Sequence, residues 1–238
     1  MRRLLALLLC LLALGPAACG DDDDSDSGSE GGQADTTARD DAKARNRAGG
    51  SPTCADVDAP EPKPGGGARK PRQKLNPSRT WEVVISTSCG AMTVRLDAKT
   101  SPNTAASFVS LARSGFYDAT VFHRIVPGFV IQGGDPTGTG TGGPGYSVRD
   151  LPPSDAAYTE GVVAMAKTAT EPPGTSSSQF YIVTGADAGL PPEYALLGKV
   201  TKGLDVARAI DELGDPASGG AGTPLRPVVI EEMKVHQS

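Results

Sequence analysis

Histidine, tryptophan and cysteine are scarce in this 238-residue chain, which has two, one and four of them. Neither Cys54 nor Cys89 lies in a Cys-x-x-Cys pair or beside a histidine, so metal binding and thiol redox catalysis have no ligand set, and no cofactor is expected. No serine sits in a Gly-x-Ser-x-Gly elbow, so a hydrolase built from His123, Asp135 and Ser178 lacks the frame its nucleophile needs. The net charge is -5, drawn largely from Asp21 to Asp24 with Asp26 and Glu30, and no basic stripe is present; nucleic acid is not an expected partner. The apolar run from Leu4 to Leu14 is too short to cross a bilayer. There is no internal repeat.

What the N-terminus does contain is a targeting pattern. Arg2 and Arg3 precede the apolar run, and small residues then lead to a cysteine, Gly15-Pro16-Ala17-Ala18-Cys19. The stretch resembles a bacterial lipobox, in which the cysteine receives lipid and becomes the new N-terminus; Pro16 departs from the leucine usual there. An ordinary secretory signal cut near Ala18 is the alternative, and either way residues 1–19 direct the chain out of the cytoplasm. With Cys10 lost and Cys19 lipidated, Cys54 and Cys89 remain as an even pair in an oxidising compartment, expected as a disulfide or else as two free thiols. Residues 20–78 read as a disordered tether. They are rich in Asp, Ser, Gly, Pro and Arg, have no apolar periodicity, and would not bury enough surface to offset their ordering entropy.

From Trp81 onward the pattern changes. Trp81 to Ser86 and Ala91 to Leu96 are strand-like runs around Thr87-Ser88-Cys89-Gly90, a hairpin signal. Ser101-Pro102 predicts a helix start with Ser101 as N-cap, an apolar face of Ala105, Phe108, Val109 and Ala112, and an end at Gly115. Strands are expected at 121–126, 129–132, 162–166, 180–184, 196–200 and 228–235, with a second helix near 204–210. Eight strands and two helices fit a mainly β fold over residues 79–238, a closed antiparallel barrel capped at its ends by the helices.

The chemistry concentrates in Val121-Phe122-His123-Arg124-Ile125-Val126-Pro127-Gly128-Phe129-Val130-Ile131-Gln132-Gly133-Gly134-Asp135. An arginine in an apolar strand is costly unless its guanidinium finds partners or a ligand. Phe129 and Gln132 are three apart, so their convergence on a regular strand would require a bulge. In isolation Arg124 also reads as an ion-paired strand residue, and Phe129, Tyr181 and Leu190 as plain core.

This stretch, with Met165-Ala166, Ser178-Gln179-Phe180-Tyr181-Ile182 and Leu197-Gly198-Lys199-Val200, closely resembles the cyclophilins over about residues 81–235. The resemblance implies a peptidyl-prolyl cis–trans isomerase in which Arg124 is the catalytic group. Gln132 would hydrogen-bond the substrate and help place the arginine. Phe129, Val130, Tyr181 and Leu190 would line the proline pocket. Ala166, Lys167 and Gln179 would flank the peptide groove, and Thr141 and Gly142 belong to a glycine-rich loop beside it. His123 falls near the groove and reads as mainly structural, because the arginine mechanism needs no titrating base. Several residues depart from the family's habit: Tyr181 stands for phenylalanine, Lys167 for asparagine, Gly189 for tryptophan and Tyr194 for histidine. The missing indole predicts weak inhibition by cyclosporin. The expected partners are proline-containing peptides and unfolded exported proteins, met by a monomer held at the membrane by lipid. A non-catalytic peptide-binding chaperone on the same fold is the alternative.

Overall fold

A computed structural model describes residues 52–238. The signal sequence, Cys19 and the first part of the expected tether lie outside the described residues. Strand β1 (Trp81–Thr87) pairs antiparallel with β2 (Gly90–Leu96), Val83 opposite Val94 and Ile85 opposite Met92. Alternation along β1 buries Trp81, Val83, Ile85 and Thr87 on one side, as a half-exposed strand should. Helix α1 (Pro102–Arg113) follows, then β3 (Thr120–Val121), β4 (Arg124–Val126), β5 (Val130–Gly133) and β6 (Val148–Arg149). Strands β7 (Val162–Met165), β8 (Thr175–Ser176), β9 (Phe180–Val183) and β10 (Leu196–Lys202) come next. Helix α2 (Leu204–Asp211), a 3₁₀ turn at Pro216–Ala221 and β11 (Val229–Gln237) complete the domain.

The closed eight-stranded barrel is not what forms. Nine strands make one curled antiparallel sheet, a half-barrel ordered β3-β11-β1-β2-β10-β7-β9-β5-β4, and β6 pairs with β8 apart from it. The expected single strand over 121–126 is broken: Phe122 and His123 separate β3 from β4, and the two pieces sit at opposite ends of the sheet order. Two residues bridge less than about 11 Å, so the sheet's two ends come close without sharing a ladder. Its interior holds Ile85, Met92, Val94, Phe108, Ile131, Phe180 and Ile182 in one apolar cluster, against which both helices bring their buried faces.

Two local expectations are corrected. Ser101 occupies the N-cap position, yet its side chain makes no cap bond. The N-terminal donor of Thr104 instead goes to Asp150 Oδ2 at 2.7 Å, while Asn103 Nδ2 donates to the other carboxylate oxygen at 2.8 Å. A distant acid thus satisfies the orphaned helix N–H, and it also suits the positive helix end. The second correction concerns the tether. Its described end does not stand free: a disulfide joins Cys54 to Cys89, and residues 63–68 run along the loop that follows β5. Composition gave no hint of this, because most of the contacts are made by main-chain groups and by Lys63 and Lys70, and the apolar residues that reach the core, Cys54, Ala68 and Leu75, are too far apart to show a period.

Candidate active site

The strand register brings the expected residues into one row. Arg124 lies opposite Gln132, Gln132 opposite Tyr181, Tyr181 opposite Ala164, and Ala164 opposite Leu196. Directly opposed residues share a face, so this row crosses β4, β5, β9, β7 and β10 on one side of the sheet. Ile125, Ile131 and Ile182, the next residues along, belong to the interior cluster on the other side. Phe129 sits in the turn between β4 and β5 rather than on a strand, so no bulge is needed to bring it beside this face.

Arg124 is held by directed bonds rather than by a counter-ion. Its Nε and one terminal nitrogen donate to the Gly220 carbonyl at 3.2 and 3.0 Å, and its other terminal nitrogen donates to Gln132 Oε1 at 3.3 Å. None of the ion pairs among the described residues includes it. A guanidinium has five N–H donors and three are used, which leaves two for a ligand. Burial draws its pKa below the usual arginine value, with Tyr194 acting in the opposite sense. An arginine starts so high that it stays charged at any physiological pH.

From Gln132 a relay of amides continues. Gln132 Nε2 donates to Gln179 Oε1 at 3.0 Å, and Gln179 Nε2 donates to the carbonyls of Gly140 and Gly142 at 2.9 and 3.0 Å. Those carbonyls belong to the glycine loop, which is folded around one buried carboxylate. Asp135 accepts from the N–H groups of Thr137, Gly140 and Gly142 at 2.7, 2.6 and 3.0 Å, and from the Thr137 hydroxyl at 2.8 Å. Burial alone would raise the pKa of Asp135, but the donors together outweigh it and hold the group below the ordinary carboxylate value. Gly134 turns the chain into this loop at φ +86°, where a Cβ would stand 2.5 Å from the Ser178 carbonyl oxygen. Thr141 is exposed on the loop, its hydroxyl 2.8 Å from that of Thr139. His123 lies beneath the loop near Gly140; neither ring nitrogen has a partner among the described residues, and burial lowers its pKa.

Beside the polar row is a second apolar cluster, separate from the interior core. Val130, Tyr158, Ala164, Tyr181 and Val183 form its base, with Phe129, Ala166, Leu190 and Tyr194 packed against them. Five of the seven expected pocket and groove residues, Phe129, Val130, Ala166, Tyr181 and Leu190, are therefore together. Tyr158, Tyr181 and Tyr194 form a trio with ring centroids 5.7 to 6.4 Å apart, and the buried Tyr181 hydroxyl has no partner among the described residues. Lys167 pairs its ammonium with Glu193 at 3.0 Å and lies over the Tyr194 ring at 5.3 Å. It fixes the loop that carries Tyr194.

Sequence reasoning did not place Tyr158, Ala164, Val183, Gly220 or Gly222 here. The last allows the 3₁₀ turn to press on Arg124: at φ +67°, a Cβ there would stand 2.8 Å from Arg124 Cγ. No local signal marks these positions, because Gly220 is 96 residues from the arginine it holds.

The family model "Cyclophilin type peptidyl-prolyl cis-trans isomerase/CLD" matches residues 82–235. Peptidyl-prolyl cis-trans isomerase CYP18-2 of Arabidopsis thaliana is 37% identical over 158 residues, which is 65% of this chain and 93% of that protein. Peptidyl-prolyl cis-trans isomerase A of Mycobacterium tuberculosis is 35% identical over 176 residues, covering 67% and 94% of the two chains. The Spliceosome-associated protein CWC27 homolog of Danio rerio is 37% identical over 168 residues, 68% of this chain and 34% of that one. A crystal structure of a cyclophilin type peptidyl-prolyl cis-trans isomerase from Cryptosporidium parvum superposes with a TM-score of 0.60 at 30% identity, over 67% of this chain and 99% of that one. A second, solved in the presence of the dipeptide Ala-Pro, gives 0.59 at 31%, over 66% and 99%.

Proposed function

The chain belongs to the cyclophilin-type peptidyl-prolyl cis–trans isomerases, and from that footing we propose that it catalyses X–Pro exchange in exported proteins, with Arg124 acting on the prolyl nitrogen. Rotation about an X–Pro bond is slow because the nitrogen lone pair is delocalised into the carbonyl, with a barrier of about 18–20 kcal/mol. Twisting the bond returns the pair to nitrogen, which becomes a hydrogen-bond acceptor at the top of the barrier and not in either planar state. A donor fixed at that point lowers the barrier selectively. The apolar cluster of Phe129, Val130, Tyr181 and Leu190 holds the ring while the preceding carbonyl turns. No bond is made or broken, so no nucleophile, base or cofactor enters the step.

The observation that carries this reading is the anchoring of Arg124. Gln132 and the Gly220 carbonyl take three of its N–H groups, which fixes the plane of the guanidinium and leaves the other two without a bond to the described residues. The Ala-Pro dipeptide used with a related structure supports proline-containing peptides as substrates. The test is exchange of a proline peptide, followed by NMR, with wild type and Arg124→Ala. Wild type should exceed the uncatalysed rate, and the variant should lose about 10²-fold. Equal rates for both, matching the uncatalysed one, would instead support a peptide-binding module without turnover.

The site of action follows from the N-terminus. Lipid on Cys19 would hold the domain at the outer face of the cell membrane, and the Cys54–Cys89 disulfide supports an oxidising compartment. Metabolic labelling with a fatty-acid probe should mark wild type and not Cys19→Ser; equal labelling of both would rule out this anchor.

A further inference from the structure

Residues 54–68 do more than connect. The disulfide fixes Cys54 to the β1–β2 turn at Cys89, and the Ala55 N–H donates to the Ser88 carbonyl at 2.8 Å. The chain then reaches Lys63, whose ammonium donates to the carbonyls of Gly115, Phe116 and Asp118 at 3.4, 2.7 and 2.6 Å. Burial lowers the pKa of this lysine, and the nearby Asp118 partly opposes that effect. The main chain of the same segment lies along the glycine loop. Lys63 N–H donates to Pro136 O at 2.8 Å, Gly66 N–H to Gly143 O at 2.7 Å and Ala68 N–H to Pro144 O at 3.1 Å. A cavity of about 170 Å³ separates the preceding part of the segment from Asp135, lined by Pro60, Pro62, Val121, Thr137 and Gly138. The segment thus grips the loop at its two ends, beside Asp135 and beside Gly142.

Gly142 and Gly140 are the residues whose carbonyls hold Gln179, which holds Gln132, which holds Arg124. We propose that residues 54–68 are a positioning segment for the isomerase site, keeping the glycine loop in the one arrangement that aligns this relay. The inference rests on the isomerase reading for its kinetic arm only. A free loop rich in glycine has many conformations to lose, and small misplacements of a catalytic group are costly. Lys63 sets where the segment sits, and the disulfide sets where it starts.

The test uses residues 20–238 of the secreted chain. Lys63→Met should lower kcat for proline-peptide exchange by about tenfold with KM within about twofold. Lys63→Arg, which keeps donors for the three carbonyls, should restore most of it. In ¹⁵N spectra the side-chain amide signals of Gln132 and Gln179 should move in Lys63→Met and return in Lys63→Arg. A segment that merely stabilises the fold would lower the unfolding temperature and leave kcat and these signals as in wild type; that result overturns the proposal. Should wild type prove inactive, the isomerase reading fails, and the amide signals still decide whether the segment controls the relay. Should Lys63→Met not fold, Cys54→Ser/Cys89→Ser releases the segment from its other end. The same changes there support the proposal, and unchanged kcat and amide signals overturn it.

Discussion

Phe129 and Phe180 are the same residue on opposite sides of one sheet. Phe180 is fully buried and meets Phe108, Tyr117 and Phe122 ring to ring in the interior. Phe129 is half-buried in a turn and packs with the smaller cluster around Tyr181. The strands between them alternate in the same way: Ile131 and Ile182 face inward, Gln132 and Tyr181 face the site. A period of two therefore divides the labour of each strand, one set of residues holding the sheet together and the next arming its surface. Stability and catalysis should be separable by substitution.

The largest effect expected is on the interior. Phe180→Ala should destabilise the fold by about 3–5 kcal/mol, measured by denaturant unfolding, through lost burial and the cavity left behind. The molecules that remain folded should still turn over. Phe129→Ala should do the reverse, costing under about 1 kcal/mol of stability while kcat/KM falls about tenfold, because the ring is half-buried and, in the proposed mechanism, meets substrate more than core. A large stability loss there would erase the distinction between the faces. Tyr181→Phe sharpens it further. The hydroxyl is buried and has no partner among the described residues, and such a group carries a desolvation cost, so its removal should raise stability by about 1 kcal/mol. A loss of stability would reveal a partner for that hydroxyl.

The smallest effect expected is none at all. Arg124 stays charged and the proposed mechanism has no titrating base, so kcat/KM should be flat from about pH 7 to 9. A sigmoid in that window would assign a titrating group to the step. At lower pH, stability should fall. His123 is held below its ordinary pKa, chiefly by burial, and Asp135 below its own by loop donors, so the folded state takes up protons later than the unfolded one. The stability they support is complete above about pH 6.5. It declines as pH drops through the histidine range, and again through the carboxylate range.

The run from Phe122 to Asp135 was legible because arginine, glutamine and phenylalanine are out of place among β-branched residues, and because the run carries a family's motif. Pairing order was not legible. Nothing in Thr120 to Val126 says that its two halves join opposite ends of a curled sheet, and a closed barrel satisfies the same alternation. Of the five residues at the base of the second apolar cluster, Val130 and Tyr181 were legible, and Ala164, Val183 and Tyr158 were not; Tyr158 reaches Tyr194 across 36 residues with a 2.7 Å bond to its carbonyl. Pro60 to Gly67 read as a spacer because hydrophobic periodicity was the signal sought. Main-chain bonds and a lysine leave no such signal. Gly220 and Gly222 were missed for a related reason: their contribution to Arg124 is a carbonyl and an absent side chain.

The proposed action of Arg124 on the prolyl nitrogen, through directed donors and not mere positive charge, is tested most directly by the exchange rate of Arg124→Lys. Lysine keeps the charge but has no planar fork with which to grip Gln132 and Gly220 while still reaching the substrate. The account predicts a loss of about tenfold or more in kcat, with folding intact. Full activity in the lysine variant would contradict it.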